Sequence, residues 1–314
     1  MFKSIFRKRP VWAGLSAVLV LAVAFSFAPV QAWASSFLGL FRVQQVQVLP
    51  IDTTQLSSLS NDSTLAKQIS QLFADSVTVT RQPGEPVVAA SAAEASKAAG
   101  FNVRLLSAAQ GTPRLTVQNG TAFEVVINRQ RAQALLDQAG RSDLQLPASV
   151  DGAKISVDIP TGVTAAYGNC PAPTLNTDVQ SGPNRAVLSK APDSGVDCVM
   201  LAQVPSPTVN TPPDLNVEQL AEIGLQFTGM SAAQAHQVSQ SVDWTSTLVI
   251  PFPRNAGTYE QVNVDGVSGT LISRGRSADA SQHYSLIWVK NGVVYGLTGT
   301  GTNEQAVTLA QSIH

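Results

Sequence analysis

The sequence has little of what catalytic and metal sites are built from: three histidines and two cysteines among 314 residues. His236, His283 and His314 stand apart, and neither H-E-x-x-H nor paired Cys/His spacing occurs, so a dedicated zinc site would need distant partners. The G-x-S-x-G elbow is absent and no serine stands three residues before a lysine, which disfavours the commonest acyl-transfer enzymes. No G-x-x-x-x-G-K-[ST] loop exists, and Gly299-Thr300-Gly301 lacks the strand-to-crossover setting of a phosphate cradle and reads as a strand-to-helix turn. We therefore expect a non-enzymatic protein with no catalytic residues, no cofactor and no metal.

Charge is scarce too, at 13% of residues against a usual share of roughly 25%. Lys3, Arg7, Lys8 and Arg9 all precede the first acidic residue, Asp52, and the remainder is mildly acidic. Such a surface has no electrostatic footprint for nucleic acid. The 44% hydrophobic content and the length allow a sizeable buried core.

What is present begins at the N-terminus. Residues 11–30 (VWAGLSAVLVLAVAFSFAPV) carry no charge, and a helix of that length covers roughly 30 Å, the thickness of a bilayer core. Trp12 and Trp33 stand at its two ends, where indoles prefer the headgroup level, and the basic cluster before it fixes the N-terminus inside. This divides the start of the chain into a cytoplasmic tail (1–10) and a transmembrane helix (11–33), with the bulk outside the cytoplasm. Ala32-Trp33-Ala34 also fits a signal-peptide cleavage site, so the alternatives are a retained anchor and a secreted protein; both export the rest. Phe37 and Phe41 either lie in the membrane interface or open the folded part.

Cys170 and Cys198 are compatible with one disulfide in an oxidising compartment, or with two free thiols in a reducing one. Between them and just beyond, residues 170–213 are rich in proline and read as a linker separating 34–169 from 214–314. Cap signals place helices after Ser91/Glu94, with Gly100 as C-cap, and after Asn216/Gln219, Ser231/Gln234 and Thr302/Gln305; two more, near 65–73 and 129–138, lack clean caps. Strands are expected at 43–49, 77–80, 114–117, 123–128, 154–159 and 245–250, then at 262–264, 269–273, 284–290 and 293–298. Asn119-Gly120 and Asn291-Gly292 suggest hairpin turns.

Individual polar and aromatic residues read mainly as structure. His236 and His283 are solvated or core-edge histidines rather than bases. Asp265-Gly266 has too few oxygens nearby for a calcium loop and reads as a hairpin turn. Trp244 and Trp288 are anchors of the core or of a pocket, and a Trp entering a β-branched strand usually has its N–H satisfied.

Three stretches resemble one family, the extracytoplasmic C-terminal domain of putative bacterial transmembrane anti-sigma factors and related envelope regulators. They are residues 32–50 (AWASSFLGLFRVQQVQVLP), 91–106 (SAAEASKAAGFNVRLL) and 215–313, which holds GLQFTGMSAAQA, DWTSTLVIPFP, VDGVSGTLI and YSLIWVKNGVVYGLTG. The resemblance implies a retained span and an α+β ectodomain whose curved antiparallel sheet is backed by helices. Family members also carry a cytoplasmic sigma-binding module, often with His-x-x-x-Cys-x-x-Cys; the ten or so residues before the span here hold neither His nor Cys, so sigma-factor sequestration is not carried over. The expectation is a membrane-anchored binding or sensory module of the envelope, possible partners being an envelope protein or ligand. A carrier sheltering an apolar ligand between sheet and helices is the alternative.

Overall fold

A computed structural model describes residues 43–52, 63–170, 198–244, 246–254, 256–274 and 282–314. The apolar span at 11–33, with Trp12, Trp33, Phe37 and Phe41, lies outside the described residues. Among the described residues no helix is long and apolar enough to cross a membrane.

The first half comprises β1 (Gln45–Ile51), α1 (Ser63–Ser76), β2 (Val77–Arg81), β3 (Val87–Ala89), α2 (Ala92–Ala99), β4 (Arg114–Gln118) and β5 (Thr121–Val126). It continues through α3 (Arg129–Gln138), a 3-10 turn at Ala148–Val150, β6 (Lys154–Ile159) and β7 (Gly162–Gly168). The second half comprises β8 (Cys198–Pro205), β9 (Thr208–Asn210), α4 (Val217–Phe227), α5 (Ala232–Ser241) and β10 (Thr247–Pro253). It ends with β11 (Thr258–Val264), β12 (Val267–Arg274), β13 (Gln282–Lys290), β14 (Val293–Gly301) and α6 (Asn303–Gln311). The class is α+β, and no sheet closes on itself.

Eight strands form one antiparallel sheet in the order β11-β12-β13-β14-β8-β7-β4-β3, and four more form a second in the order β2-β5-β6-β9. Strand β8 lies inside the stretch whose prolines suggested a linker. It pairs with β14 on one side and β7 on the other, joining strands from both halves of the sequence. Buried on both flanks, it needs no β-branched alternation, and its Pro205 sits at the end, where a missing N–H costs no central ladder bond. Strand β9, also within that stretch, closes one edge of the four-stranded sheet.

Turn chemistry separates the two Asn-Gly pairs. Asn291 and Gly292 have φ of 52° and 72°, the type I′ geometry, and join β13 to β14. Asp265 and Gly266, at 52° and 77°, make the same turn between β11 and β12. Asn119-Gly120 is not a hairpin turn: it leads from β4 in the large sheet to β5 in the small one, and Gly120 packs so closely on the Ile159 carbonyl that a Cβ would not fit.

The large sheet is covered on both faces at its β11–β14 end. On one face α6 buries Leu271, Leu286, Trp288, Leu297 and Tyr284 with Ala306 and Ala310, and the same cluster continues to Ala95 of α2, which packs over β3, β4 and β7. On the other, β1 and β10 lay Val48, Leu248, Ile250 and Phe252 against Ile272, Ile287 and Val289. These two strands are parallel and stand apart from the antiparallel sheets; their wide separation in sequence leaves room for the required crossover. Helices α4 and α5 then pack on the far side of that pair, burying Val217, Ala221, Leu225, Ala235 and Trp244.

Local capping follows the sequence signals. Ser91, Asn216, Ser231 and Thr302 each accept a backbone N–H three residues on, and α5 and α6 carry the full reciprocal box with Gln234 and Gln305. Gly100 has φ 77° and its N–H donates to Ser96 O, closing α2. Helix α3 also has a cap, since Asn128 accepts from Arg131 N at 2.9 Å.

Candidate functional site

Polar side chains converge at the turn end of β11. Residues 262 and 264 of β11 are valines that face α6, so the β11–β12 hairpin is fixed on the core, and the type I′ turn then projects Asp265 beside the neighbouring strands. Arg104 Nη1 and Nη2 both donate to the Asp265 carboxylate, and Lys290 Nζ donates to Asp265 Oδ1 at 2.7 Å. Arg104 also donates to Ile313 O at 3.0 Å and lies 5.9 Å from the centre of the Tyr295 ring. Tyr295 in turn stacks on Trp288 at 5.1 Å. The buried Gln203 side chain of β8 holds the Arg104 backbone from both ends, accepting from its N–H at 2.9 Å and donating to its carbonyl at 2.8 Å.

The Asp265 side chain is only 8% exposed. Burial pushes its carboxyl up, but hydrogen bonds and charge from Arg104 and Lys290 outweigh that and hold it below the usual carboxylate range. Asp265, hydrogen-bonded mainly, raises the Arg104 guanidinium in return. One carboxylate is shared by two cations, and the cluster is a clamp tying the 101–106 segment, the hairpin and the residues after α6 together.

Beside this clamp runs an open edge. Strand β11 is the outermost of the large sheet, and among the described residues no strand pairs with its outer side. The two-residue turn makes Val264 and Val267 a hydrogen-bonded pair, so alternation turns the N–H and C=O of Tyr259, Gln261 and Asn263 outward. Gln311 of α6 takes the Asn263 carbonyl at 3.3 Å. On the helix face a groove of about 310 Å³ lies between β11 and α6, lined by Glu260, Asn303, Glu304, Val307 and Thr308. Ser273 donates to Asn303 Oδ1, and Asn303 donates to Glu260 Oε1 at 2.8 Å, so the groove wall is braced from within. On the opposite face Tyr259 is 41% exposed and meets Phe252 edge-on. A second groove, of about 290 Å³, lies between α1 and α3 over Leu72, Ala134 and Leu135.

The residues singled out from sequence do not gather here. Trp244 is buried under α5, its Nε1 donating to Ser239 O at 2.6 Å. Trp288 is fully buried behind the clamp, but among the described residues its Nε1 has no partner; nor does the buried Tyr284 hydroxyl. Burial raises the Tyr284 phenol to about 12. His236 pairs with Glu222 across α4 and α5 at 3.1 Å and is exposed, while His283 is exposed on β13 and the His314 backbone bonds to Leu105. Cys170 and Cys198 form a disulfide beside Gly168↔Cys198, the last pair of the β7–β8 ladder. Among the described residues no group of three His, Cys, Asp or Glu side chains could hold a metal. Arg104 and Lys290 were not anticipated: the partner that gives Arg104 its role lies 161 positions away, which no local pattern signals.

The molecule is thus an α+β protein whose largest sheet ends in an open strand flanked by a helix. A family model described as "Domain of unknown function (DUF4367)" matches residues 227–313, which run from the end of α4 through the open edge to α6. That domain is known in anti-sigma-factor-like proteins. Residues 32–50, 91–106 and 215–226, which carried the rest of the resemblance, lie outside the match. No curated protein and no solved structure matches the chain.

Proposed function

We propose that the chain is a non-enzymatic binding or sensory module of the bacterial envelope, held at the membrane by one N-terminal helix and accessory to sigma/anti-sigma signalling. Its ectodomain, a sheet curved over its helices, engages another envelope protein. The observation that carries this reading is the open edge of β11 beside the α6 groove, inside the segment that matches the regulator-associated domain. Location is supported by the uncharged run at 11–30 and by a disulfide, which persists in oxidising compartments. The apolar-carrier alternative draws no support from the described residues, because Leu271, Leu286, Trp288 and Leu297 fill the space between sheet and helices.

Two measurements test the reading. A reporter active only outside the cytoplasm, fused after His314, should be active in membrane fractions; activity in the culture medium with a mature N-terminus near Ser35 would make the protein secreted. Photo-crosslinking residues placed at Gln261 and at Gln71 should trap an envelope protein in intact cells from one site; no adduct from either would sink the binding reading.

A further inference from the structure

We infer that β11 and α6 form a strand-addition site for an extended segment of the partner that alternates basic with apolar or small side chains. The inference deepens the binding reading and rests on it. Strand addition needs free main-chain groups in a row, and β11 presents them at Tyr259 and Gln261, one residue apart from each other in the outward-facing set. It also needs side-chain pockets at a two-residue period. A ninth strand beside β11 would send every second side chain, roughly 7 Å apart, over the helix face.

The groove there is walled by the Glu260 carboxylate on the strand and the Glu304 carboxylate on α6, over the methyls of Val307 and Thr308. A lysine or arginine fits that chemistry: its stem lies along Val307 while its head meets the two carboxylates. The intervening side chains fall on the other face, where exposed Tyr259 offers an aromatic surface. Edge strands that are not used are commonly blunted by lysine, proline or a bulge. Strand β11, TYEQVNV, has no lysine, no proline and no break in its register with β12; its one charge, Glu260, lies on the groove side, and α6 takes up only the Asn263 carbonyl. The other end of the sheet differs, since β3 is three residues long and follows Pro86.

The test uses the full chain in detergent and a fluorescent seven-residue peptide alternating lysine with threonine and valine. Binding should weaken at least tenfold when glutamate replaces lysine in the peptide, and at least tenfold when alternate peptide nitrogens are methylated, which keeps the charge but removes the ladder donors. Glu304→Lys should cost a similar factor, as should Gln261→Pro, a substitution an edge strand tolerates. Equal binding of methylated and unmethylated peptides overturns the inference, as does unchanged affinity in Gln261→Pro, or a dimer that Gln261→Pro dissociates, which makes a second copy the occupant. Adducts from Gln71 but not Gln261 would overturn the strand-addition site while leaving the binding reading in place.

Discussion

Replacing Asp265 by asparagine isolates the charge of the clamp from its shape. Asparagine tolerates the positive φ of 52° at the first turn position as well as aspartate does, so the hairpin keeps its geometry. What is lost is a carboxylate that accepts from two Arg104 nitrogens and from Lys290. Bonds to a charged group contribute about 1.5–3 kcal/mol each, but the amide oxygen retains part of this, and solvent screens Arg104 and Lys290 at 19% and 29% exposure. The net loss should be about 2–3 kcal/mol, between the values for an exposed and a fully buried pair. For a domain of this size that lowers Tm by roughly 5–10 °C, measurable by calorimetry.

The pH dependence gives an independent check. Because the folded-state pKa of Asp265 is depressed, its stabilisation is fully present above the unfolded value near 4 and is lost as pH falls through the folded value. Wild type and Asp265→Asn should therefore differ by a constant amount from pH 7 to 5 and converge below about pH 4. A gap that persists unchanged to pH 2.5, or no gap at pH 7, would refute the assignment of a charge clamp.

Tyr284→Phe should be neutral or stabilising by up to about 1 kcal/mol in urea titration, since it removes a buried hydroxyl that has no partner among the described residues. In the native protein this phenol should resist ionisation to about pH 12 by ultraviolet titration. Gly299→Ala should destabilise by about 1–3 kcal/mol, because its Cβ would overlap the Tyr284 ring and hydroxyl. Trp244→Phe should cost about 1–2 kcal/mol through the lost bond to Ser239 O and the smaller ring. Opening the disulfide, with its separation of 28 residues, should cost about 3–4 kcal/mol on the chain-entropy model, and Cys170→Ser should abolish the mobility shift on non-reducing gels.

Elements whose signals are local were legible in the sequence. The caps at Ser91, Asn216, Ser231 and Thr302 need only the next three residues, and the turns at Asp265 and Asn291 only a following glycine. Strand β8 was not legible, because Cys-Val-Met-Leu-Ala-Gln-Val-Pro shows neither alternation nor β-branched enrichment and owes its conformation to two neighbours supplied from elsewhere. Strand β7, Gly-Val-Thr-Ala-Ala-Tyr-Gly, is hidden likewise by its glycines and alanines. Asn128 was overlooked as a cap because no Glu or Gln completes a box three residues on. Of the candidate site, the hairpin was readable but its position at the sheet edge was not, since strand order depends on pairings distant in sequence.

Those distant pairings also set a timetable. Gln45 meets Thr247, 202 positions on, and Arg104 meets the carbonyl of Ile313, 209 positions on. Ordering such contacts requires closing very long loops before any pairing rewards it, so the chain should fold slowly for its stability. Until β10 and α6 arrive, β1 and the 101–106 segment lack the partners that shelter them, and stretches of unpaired strand stand open to other chains. Assembly of this molecule is consequently a race between its own latecomers and aggregation, and its yield should depend on chain concentration during refolding.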